Sequence, residues 1–109
     1  MLTRNMDIRW ETRDAKGNII YITEERWEHI IDPDNHPEME DLEDELIETL
    51  RRGERRQDSL NSQKYFYRQS FDGLGNRNTQ IEAVVLFRFR SDVGGVAPNN
   101  YVVTAYLKY

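Results

Sequence analysis

Three side chains in this chain are of types that can act together on a phosphate ester: His29, Arg68 and Thr104. A histidine, with an ordinary pKa of about 6.5, can give and take a proton near neutral pH. An arginine can hold a phosphate with two parallel hydrogen bonds, and a threonine hydroxyl can bond a phosphoryl oxygen. Each also has a structural interpretation, as a packed helix-end histidine, a partner for a carboxylate and an ordinary strand-forming residue.

Other kinds of site fit the sequence poorly. Gly73 and Gly75 are followed by Asn78 where a dinucleotide-binding loop needs its third glycine, and no helical pattern follows. His29 and His36 are separated by a proline-containing connector and lack the spacing of a zinc-binding helix. No cysteine is present to bind a metal or form a disulfide. We therefore expect neither a cofactor nor a metal site.

Charge is divided unevenly along the chain. Residues 1–50 contain 5 Lys and Arg against 15 Asp and Glu, whereas residues 51–109 contain 10 Lys and Arg against 5 Asp and Glu. The halves therefore carry −10 and +5, which give the total of −5. The basic half allows a surface that faces nucleic acid. The alternative is a solvated acidic helix packed beside a basic sheet.

The same composition predicts a cytoplasmic protein. Charged side chains recur through the first twenty residues, so no apolar signal segment is expected there. No apolar run approaches the roughly 20 residues that would span a bilayer. The seven carboxylates between Glu38 and Glu48 fit a solvated helix face, because a catalytic carboxylate pair needs two different environments. We expect no association with a membrane.

The helices and strands that carry the candidate residues can be placed from periodicity. Residues 7–22 predict a β-hairpin, with turn-forming residues at 14–18 between two apolar strands. Thr23 predicts the N-cap of a first helix, which carries His29. A proline-containing connector leads to a second helix, predicted from Met39 to Arg52 and ended by Gly53.

The rest of the chain predicts strands. They lie at about 55–60, 64–68, 81–89 and 101–107, with loops at 71–78 and 91–100. Arg68 ends the second of these strands, and Thr104 lies within the last. Connections too short for a helix require antiparallel pairing. The chain is therefore predicted to be an α+β protein with a single domain over residues 1–109, made of an N-terminal hairpin (1–22) and a core (23–109).

Several short motifs follow one another in a recognisable order. They are Trp27-Glu28-His29-Ile30-Ile31, His36-Pro37-Glu38-Met39, Tyr67-Arg68, a Val-Val-rich strand and Val103-Thr104-Ala105-Tyr106-Leu107. In this order, over about residues 23–108, they resemble small bacterial and phage proteins of the barnase–EndoU–colicin–RelE-like nuclease superfamily. The resemblance implies a metal-independent RNase fold. In that fold the hairpin and two helices would pack on one face of an antiparallel sheet of about four strands.

The resemblance also implies a site and a function. His29, Arg68 and Thr104 would be catalytic, and RNA would be cleaved when its 2′-OH attacks the adjacent phosphate. The residues expected to contact RNA are Tyr65, Tyr67, Arg88 and Tyr106. His36 is expected to cap the second helix. The protein would be a toxin-like RNase, with an antitoxin or another protein as partner and no DNA partner. The alternative is a non-catalytic module on the same fold that binds protein or RNA.

Overall fold

The computed structural model describes residues 7–74 and 80–108, about half of which form a single β-sheet. The strands are β1 Ile8–Arg13, β2 Ile19–Thr23, β3 Glu54–Gln57, β4 Lys64–Ser70, β5 Gln80–Asp92 and β6 Gly95–Lys108. Two α-helices, α1 Glu24–Ile30 and α2 Glu43–Arg52, lie between β2 and β3, with a 3₁₀ helix at Pro37–Leu42 between them. The strands lie in the order β1-β2-β6-β5-β4-β3.

The prediction of about four antiparallel strands is wrong, because the sheet has six strands and is mixed. The predicted hairpin is present as β1 and β2, but it extends the sheet instead of packing on one face. Its strand β2 pairs in parallel with β6, through Ile20 opposite Asn100 and Tyr21 opposite Tyr101. The helices carry the chain from β2 across to β3 at the far edge. Successive antiparallel strands then return to β2.

The loop predicted at residues 91–100 is instead the end of a long hairpin formed by β5 and β6. Its turn is only two residues, Val93 and Gly94, because Asp92 pairs with Gly95. Gly95 has a φ angle of 117°, a conformation that favours glycine. The glycines in this segment therefore serve a tight turn rather than a long loop.

The helical segment follows the sequence prediction only in part. Thr23 caps α1 as predicted, since its hydroxyl accepts a hydrogen bond from the backbone N–H of Arg26. The second predicted helix is divided into the 3₁₀ helix at Pro37–Leu42 and the α-helix that follows it. It ends at Gly53, where a Cβ atom would lie 2.9 Å from the carbonyl oxygen of Arg68. Glycine is therefore needed for the close approach of this helix end to β4.

The core lies on one face of the sheet, where the helices pack. Its buried residues are Ile20, Ile22, Trp27, Ile30, Met39, Leu46, Leu50, Tyr67, Ile81, Ala83, Val85, Val102 and Ala105. Side chains of a strand alternate between the two faces, so the residues between these strand positions belong to the opposite face. We call it the open face, because the described helices pack their core residues on the other side. A register shift makes Val103 an extra residue, so that Thr104 lies opposite Val84.

A buried carboxylate joins the β1–β2 hairpin to strand β4. Asp14, only 7% exposed, accepts hydrogen bonds from Tyr67 Oη at 2.6 Å and from the backbone N–H groups of Asn18 and Lys16. Burial alone would raise the pKa of Asp14, but these hydrogen bonds outweigh it, and the pKa is lowered from its ordinary value of 3.8. The folded protein therefore favours the charged form of Asp14.

We predict that Asp14→Asn destabilises the protein at neutral pH and much less in acid. It weakens hydrogen bonds to a buried charged acceptor, which costs about 1–3 kcal/mol. Because folding lowers the pKa of Asp14, its carboxylate contributes stability above the unfolded pKa, and this contribution is lost as the pH falls below about 4. Urea unfolding at about pH 7 and about pH 3 measures the effect.

The matched control for this prediction is Asp41→Asn, at an exposed position of the 3₁₀ helix. We expect this control to change the free energy of unfolding by less than about 0.5 kcal/mol. An equal loss of stability for Asp14→Asn at both pH values would contradict the prediction.

Candidate nucleic-acid interface

The open face of β4, β5 and β6 consists of rows of side chains, since paired residues of neighbouring strands lie side by side. From β4 to β6, these rows are Arg68-Glu82-Tyr106, Phe66-Val84-Thr104 and Lys64-Leu86-Tyr101. Successive rows advance by about 6.8 Å, two residues at about 3.4 Å each. On β3, Arg56 lies beside Phe66. Cationic and aromatic side chains therefore predominate on this face.

Glu82 is the buried centre of the first row. It is 2% exposed, although it lies on the face away from the helices. Tyr106 Oη donates a hydrogen bond to Glu82 Oε2 at 2.6 Å, and Lys108 Nζ donates one to Oε1 at 3.2 Å. Arg68 Nε lies 3.5 Å from the same Oε1. A buried charge needs such partners, because loss of hydration is otherwise costly. We call these four residues the Glu82 network.

The single carboxylate of Glu82 does not neutralise both cations of its network. Arg68 and Lys108 share one negative charge, and their side chains are 33% and 40% exposed. Arg68 Nε is buried, and among the described residues it donates no hydrogen bond, since its contact with Glu82 is only an ion pair. The network therefore carries a surplus positive charge at a fixed place on the open face. An anion such as phosphate can be held there.

Tyr106 is a neutral hydrogen-bond donor in this network. Burial and its hydrogen bond to Glu82 raise the pKa of the phenol to about 12, against the lowering influence of Arg56 and Arg68. At neutral pH the hydroxyl therefore stays protonated and fixes the carboxylate. Tyr106 is for the same reason unsuited to act as a base, whereas its ring can still contact a ligand.

Aromatic rings on the open face are accompanied by cations. The guanidinium of Arg56 lies 4.6 Å from the ring centroid of Phe66, and Lys64 Nζ lies 5.8 Å from it. The ring of His36 lies 5.5 Å from that of Tyr106. Rings and guanidinium planes are the surfaces on which unpaired nucleobases stack. The open face therefore offers places for bases as well as for phosphates.

Arg68 and Thr104, predicted as site residues, both lie on the open face. They belong to neighbouring rows and are separated by β5, so two strand spacings of about 4.8 Å each lie between them. His29 is exposed on α1, and among the described residues no hydrogen bond, ion pair or ring contact joins it to Arg68 or Thr104. The structure thus brings two of the three predicted residues to one surface.

The histidine at the open face is His36. Its backbone precedes the 3₁₀ helix at the N-cap position, but its side chain makes no capping hydrogen bond. Its imidazole instead contacts Tyr106, and its Nδ1 lies 3.6 Å from Glu38 Oε2. A proton-carrying side chain therefore adjoins the Glu82 network, although it is not the histidine that the sequence suggested for that role.

The four residues predicted to contact RNA divide between the two faces. Tyr106 and Arg88 belong to the open face. Tyr67 is 1% exposed and bonded to Asp14 in the core, so its ring has no free side for a base. Tyr65 lies on the helix side, with its ring 4.7 Å from Phe87 and the guanidinium of Arg55 above it at 4.5 Å.

The sequence did not indicate three members of the site, which are Glu82, Lys108 and Phe66. The signal for Glu82 is a single acid within the apolar run 81–87, a position that demands cationic partners. Which residues neutralise it depends on strand register, since Arg68 and Tyr106 are its direct neighbours on β4 and β6. The sequence does not determine the strand register, so the contacts of the Glu82 network could not be predicted from the sequence.

A groove of about 520 Å³ bounds the open face where β2 and β6 diverge. Tyr21 and Tyr101 line it with their ring centroids 6.1 Å apart. Its charged lining residues are Asp7, Glu24, Glu25 and Arg26. Three carboxylates against one cation repel phosphate, so the cationic part of the open face ends before this groove.

Comparison with protein-family models, with curated proteins and with solved structures finds no match to this chain. The nuclease superfamily suggested by the motifs therefore stays a prediction. None of the described helices is long and apolar enough to cross a membrane. Within residues 7–74 and 80–108, no three histidine, aspartate or glutamate side chains are grouped to hold a metal ion.

We predict that Glu82→Gln lowers the pKa of the Tyr106 phenol from about 12 toward its ordinary value of 10.0. The substitution removes the negative charge that opposes ionisation of the hydroxyl, whereas the lowering influence of Arg56 and Arg68 remains. An NMR pH titration of the protein labelled with ¹³C-tyrosine measures this pKa. The Tyr106 signal is assigned by its absence from the spectrum of Tyr106→Phe. Glu54→Gln, at the exposed edge of the same face, is the control. An unchanged Tyr106 pKa in Glu82→Gln would contradict the structure of the network.

Proposed function

We propose that this protein binds single-stranded RNA on the open face of its sheet. Phosphate would be held by Arg68 and Lys108, and bases would stack against Phe66 and Tyr106. The observation that carries the proposal is the Glu82 network. One buried carboxylate holds two partly exposed cations in place, and their surplus charge faces outward. Fixed cations lose less side-chain entropy on binding phosphate than freely moving ones.

The aromatic residues favour single-stranded over double-stranded nucleic acid. In a duplex the bases are stacked on one another and offer no free ring to a side chain. Phe66 and Tyr106 stand in neighbouring rows beside cations, which suits unpaired bases linked by phosphates. Stacking of this kind contributes about 1–3 kcal/mol per base and depends little on sequence.

Thr104 supports RNA rather than DNA as the ligand. It lies on the open face between Tyr106 and Tyr101, opposite Val84. A hydroxyl at that position can donate to or accept from a ribose 2′-OH, the group that distinguishes RNA from DNA. The acidic helices on the other side of the sheet would repel RNA, so the charge distribution also favours binding on the open face.

RNA cleavage by transesterification is the second candidate function, and the position of His36 favours it. Its imidazole contacts Tyr106, and its side chain is 32% exposed, so a proton donor and acceptor adjoins the phosphate-binding cations. Arg68 would then also stabilise the charge of the transition state. A toxin-like role, with a protein antitoxin covering the open face, belongs to this second candidate.

The binding proposal predicts that removal of the Glu82 network weakens RNA binding by at least about tenfold, because charged hydrogen bonds contribute about 1.5–3 kcal/mol each. Arg68→Gln, Glu82→Gln and Lys108→Gln are combined, so that neither the buried carboxylate nor its cations are left without their partners. Fluorescence polarisation with a single-stranded oligoribonucleotide measures affinity, and circular dichroism checks the fold.

The matched control is Arg51→Gln with Arg52→Gln, which removes two exposed cations from α2 on the other side of the sheet. We expect this control to keep wild-type affinity. Phe66→Leu separates stacking from charge and should lose about 1–3 kcal/mol of binding free energy. Wild-type affinity in both the triple variant and Phe66→Leu would contradict the proposal.

The second candidate predicts that His36→Ala abolishes RNA cleavage and that His29→Ala does not, because only His36 adjoins the Glu82 network. The purified proteins are incubated with total bacterial RNA, which is then separated on a gel, and growth on expression is followed in parallel. Cleavage retained in His36→Ala would contradict a catalytic role for that residue. Intact RNA with wild type as well would leave binding as the function.

A further inference from the structure

Strands β5 and β6 continue beyond the core as a two-stranded arm, which we define as residues 88–99. Its pairing runs from Arg88 opposite Asn99 to Asp92 opposite Gly95. Residues 88–96 are exposed throughout, whereas residues 81–85 of the same strand β5 are all buried. The arm therefore projects from the sheet and keeps its strand geometry.

The two faces of the arm differ in chemistry. Arg88 and Arg90 continue the alternation of Glu82, Val84 and Leu86, so they belong to the open face. Both are exposed, and neither forms an ion pair with any residue in the described ranges. The residues of the opposite face include Phe89, Val96 and Pro98. The arm thus adds cations to the face on which RNA is proposed to bind.

Cations recur along β5 from the Glu82 network to the arm. Arg68 flanks the row of Glu82, Lys64 flanks the row of Leu86, and Arg88 and Arg90 occupy the next two rows. From the row of Glu82 to Arg90 is eight residues, or about 27 Å at about 3.4 Å per residue. On the open face of β4, β5 and β6 over this span, all of which is described, Glu82 is the only acid. Two further acids adjoin the span, since Asp92 follows Arg90 and Glu54 of β3 lies beside Arg68.

From this arrangement we propose that the RNA runs lengthwise along β5 and that the arm is its second anchoring point. The inference rests on the proposed binding function and specifies the ligand as an extended single strand several nucleotides long. Its phosphates contact the Glu82 network at one end and Arg88 and Arg90 at the other. A shorter oligonucleotide reaches only one of the two anchoring points, so its affinity does not depend on the arm.

The test combines Arg88→Gln with Arg90→Gln and uses two oligouridylates, of about ten and about four nucleotides, within the range of known single-strand sites. For the longer RNA we expect an affinity loss of at least about tenfold at low salt. The slope of log affinity against log salt should fall by about 1.4, since each phosphate contact on a single strand contributes about 0.7. For the shorter RNA, bound at the Glu82 network, we expect unchanged affinity and slope.

The charge-matched control is again Arg51→Gln with Arg52→Gln, which should keep the wild-type slope with both RNAs. Because the arm is exposed, its variant should melt at the wild-type temperature, which separates binding from folding. Wild-type affinity and slope for the longer RNA in the arm variant would overturn the lengthwise site while leaving the sheet-centred one. Absence of RNA binding by wild type, or wild-type affinity in both the triple variant of the Glu82 network and Phe66→Leu, would overturn the proposed function itself.

Discussion

The central strand β5 is buried on both sides over residues 81–85, although the helices in the described part of the chain cover only one side. Residues 81–85 of β5 are all buried, and Glu82 and Val84 among them face away from the helices. Glu82 is contacted by long side chains of the neighbouring strands, which are Arg68, Tyr106 and Lys108. Because Glu82 is a buried carboxylate, those side chains have to neutralise its charge as well as shield it from water.

This constraint explains why a structural network also resembles a binding site. Neutralising Glu82 requires cations, and reaching it from β4 and β6 requires that they lie on the face that is free of helices. On that face, Arg68 and Lys108 together carry two positive charges, of which one carboxylate neutralises only one. The same arrangement that stabilises the sheet thus leaves a surplus of fixed positive charge toward solvent, next to the rings of Tyr106 and Phe66.

The helix side of the sheet is mainly negatively charged, in contrast to the open face. Its carboxylates hold the helices to the hairpin. Arg9 of β1 binds Glu43 of α2 through two nitrogens and Glu24 of α1 through a third, and its guanidinium lies 5.2 Å from the ring centroid of Trp27. The indole N–H of Trp10 donates to the same Glu43 at 2.7 Å. These contacts attach both helices to the hairpin and lower the pKa of Glu43. The protein is therefore bipolar, with an acidic helix side and a basic open face.

Local signals in the sequence predicted the local elements. The hairpin, the Thr23 cap and the helix end at Gly53 depend on neighbouring residues, and all three are confirmed. The six-stranded mixed sheet was not predictable in this way. It depends on the short parallel contact of Ile20 and Tyr21 with Asn100 and Tyr101, about eighty residues away. The arm was missed because its glycines and asparagines suggested a loop.

The residues of the site were likewise predictable only in part, because their meeting depends on contacts between distant segments of the chain. The resemblance pointed to Arg68, Thr104, Arg88 and Tyr106, and strand alternation places all four on the open face. It pointed equally to Tyr65 and Tyr67, which lie on the helix side. Residue type could not decide which histidine, His29 or His36, lies at the site, because both are near the first helix. It depends on where the connector returns to β6, which brings His36 rather than His29 to Tyr106.

We propose above all that the open face of the sheet binds single-stranded RNA. The most direct measurement is an NMR titration of the ¹⁵N- and ¹³C-methyl-labelled protein with an oligoribonucleotide. We predict that the largest shift changes fall on β4, β5 and β6, and in particular on Arg68 Nε, Thr104 Cγ2 and the Leu86 methyl groups. Shift changes confined to the helices, or none at all with single-stranded RNA in excess, would contradict it.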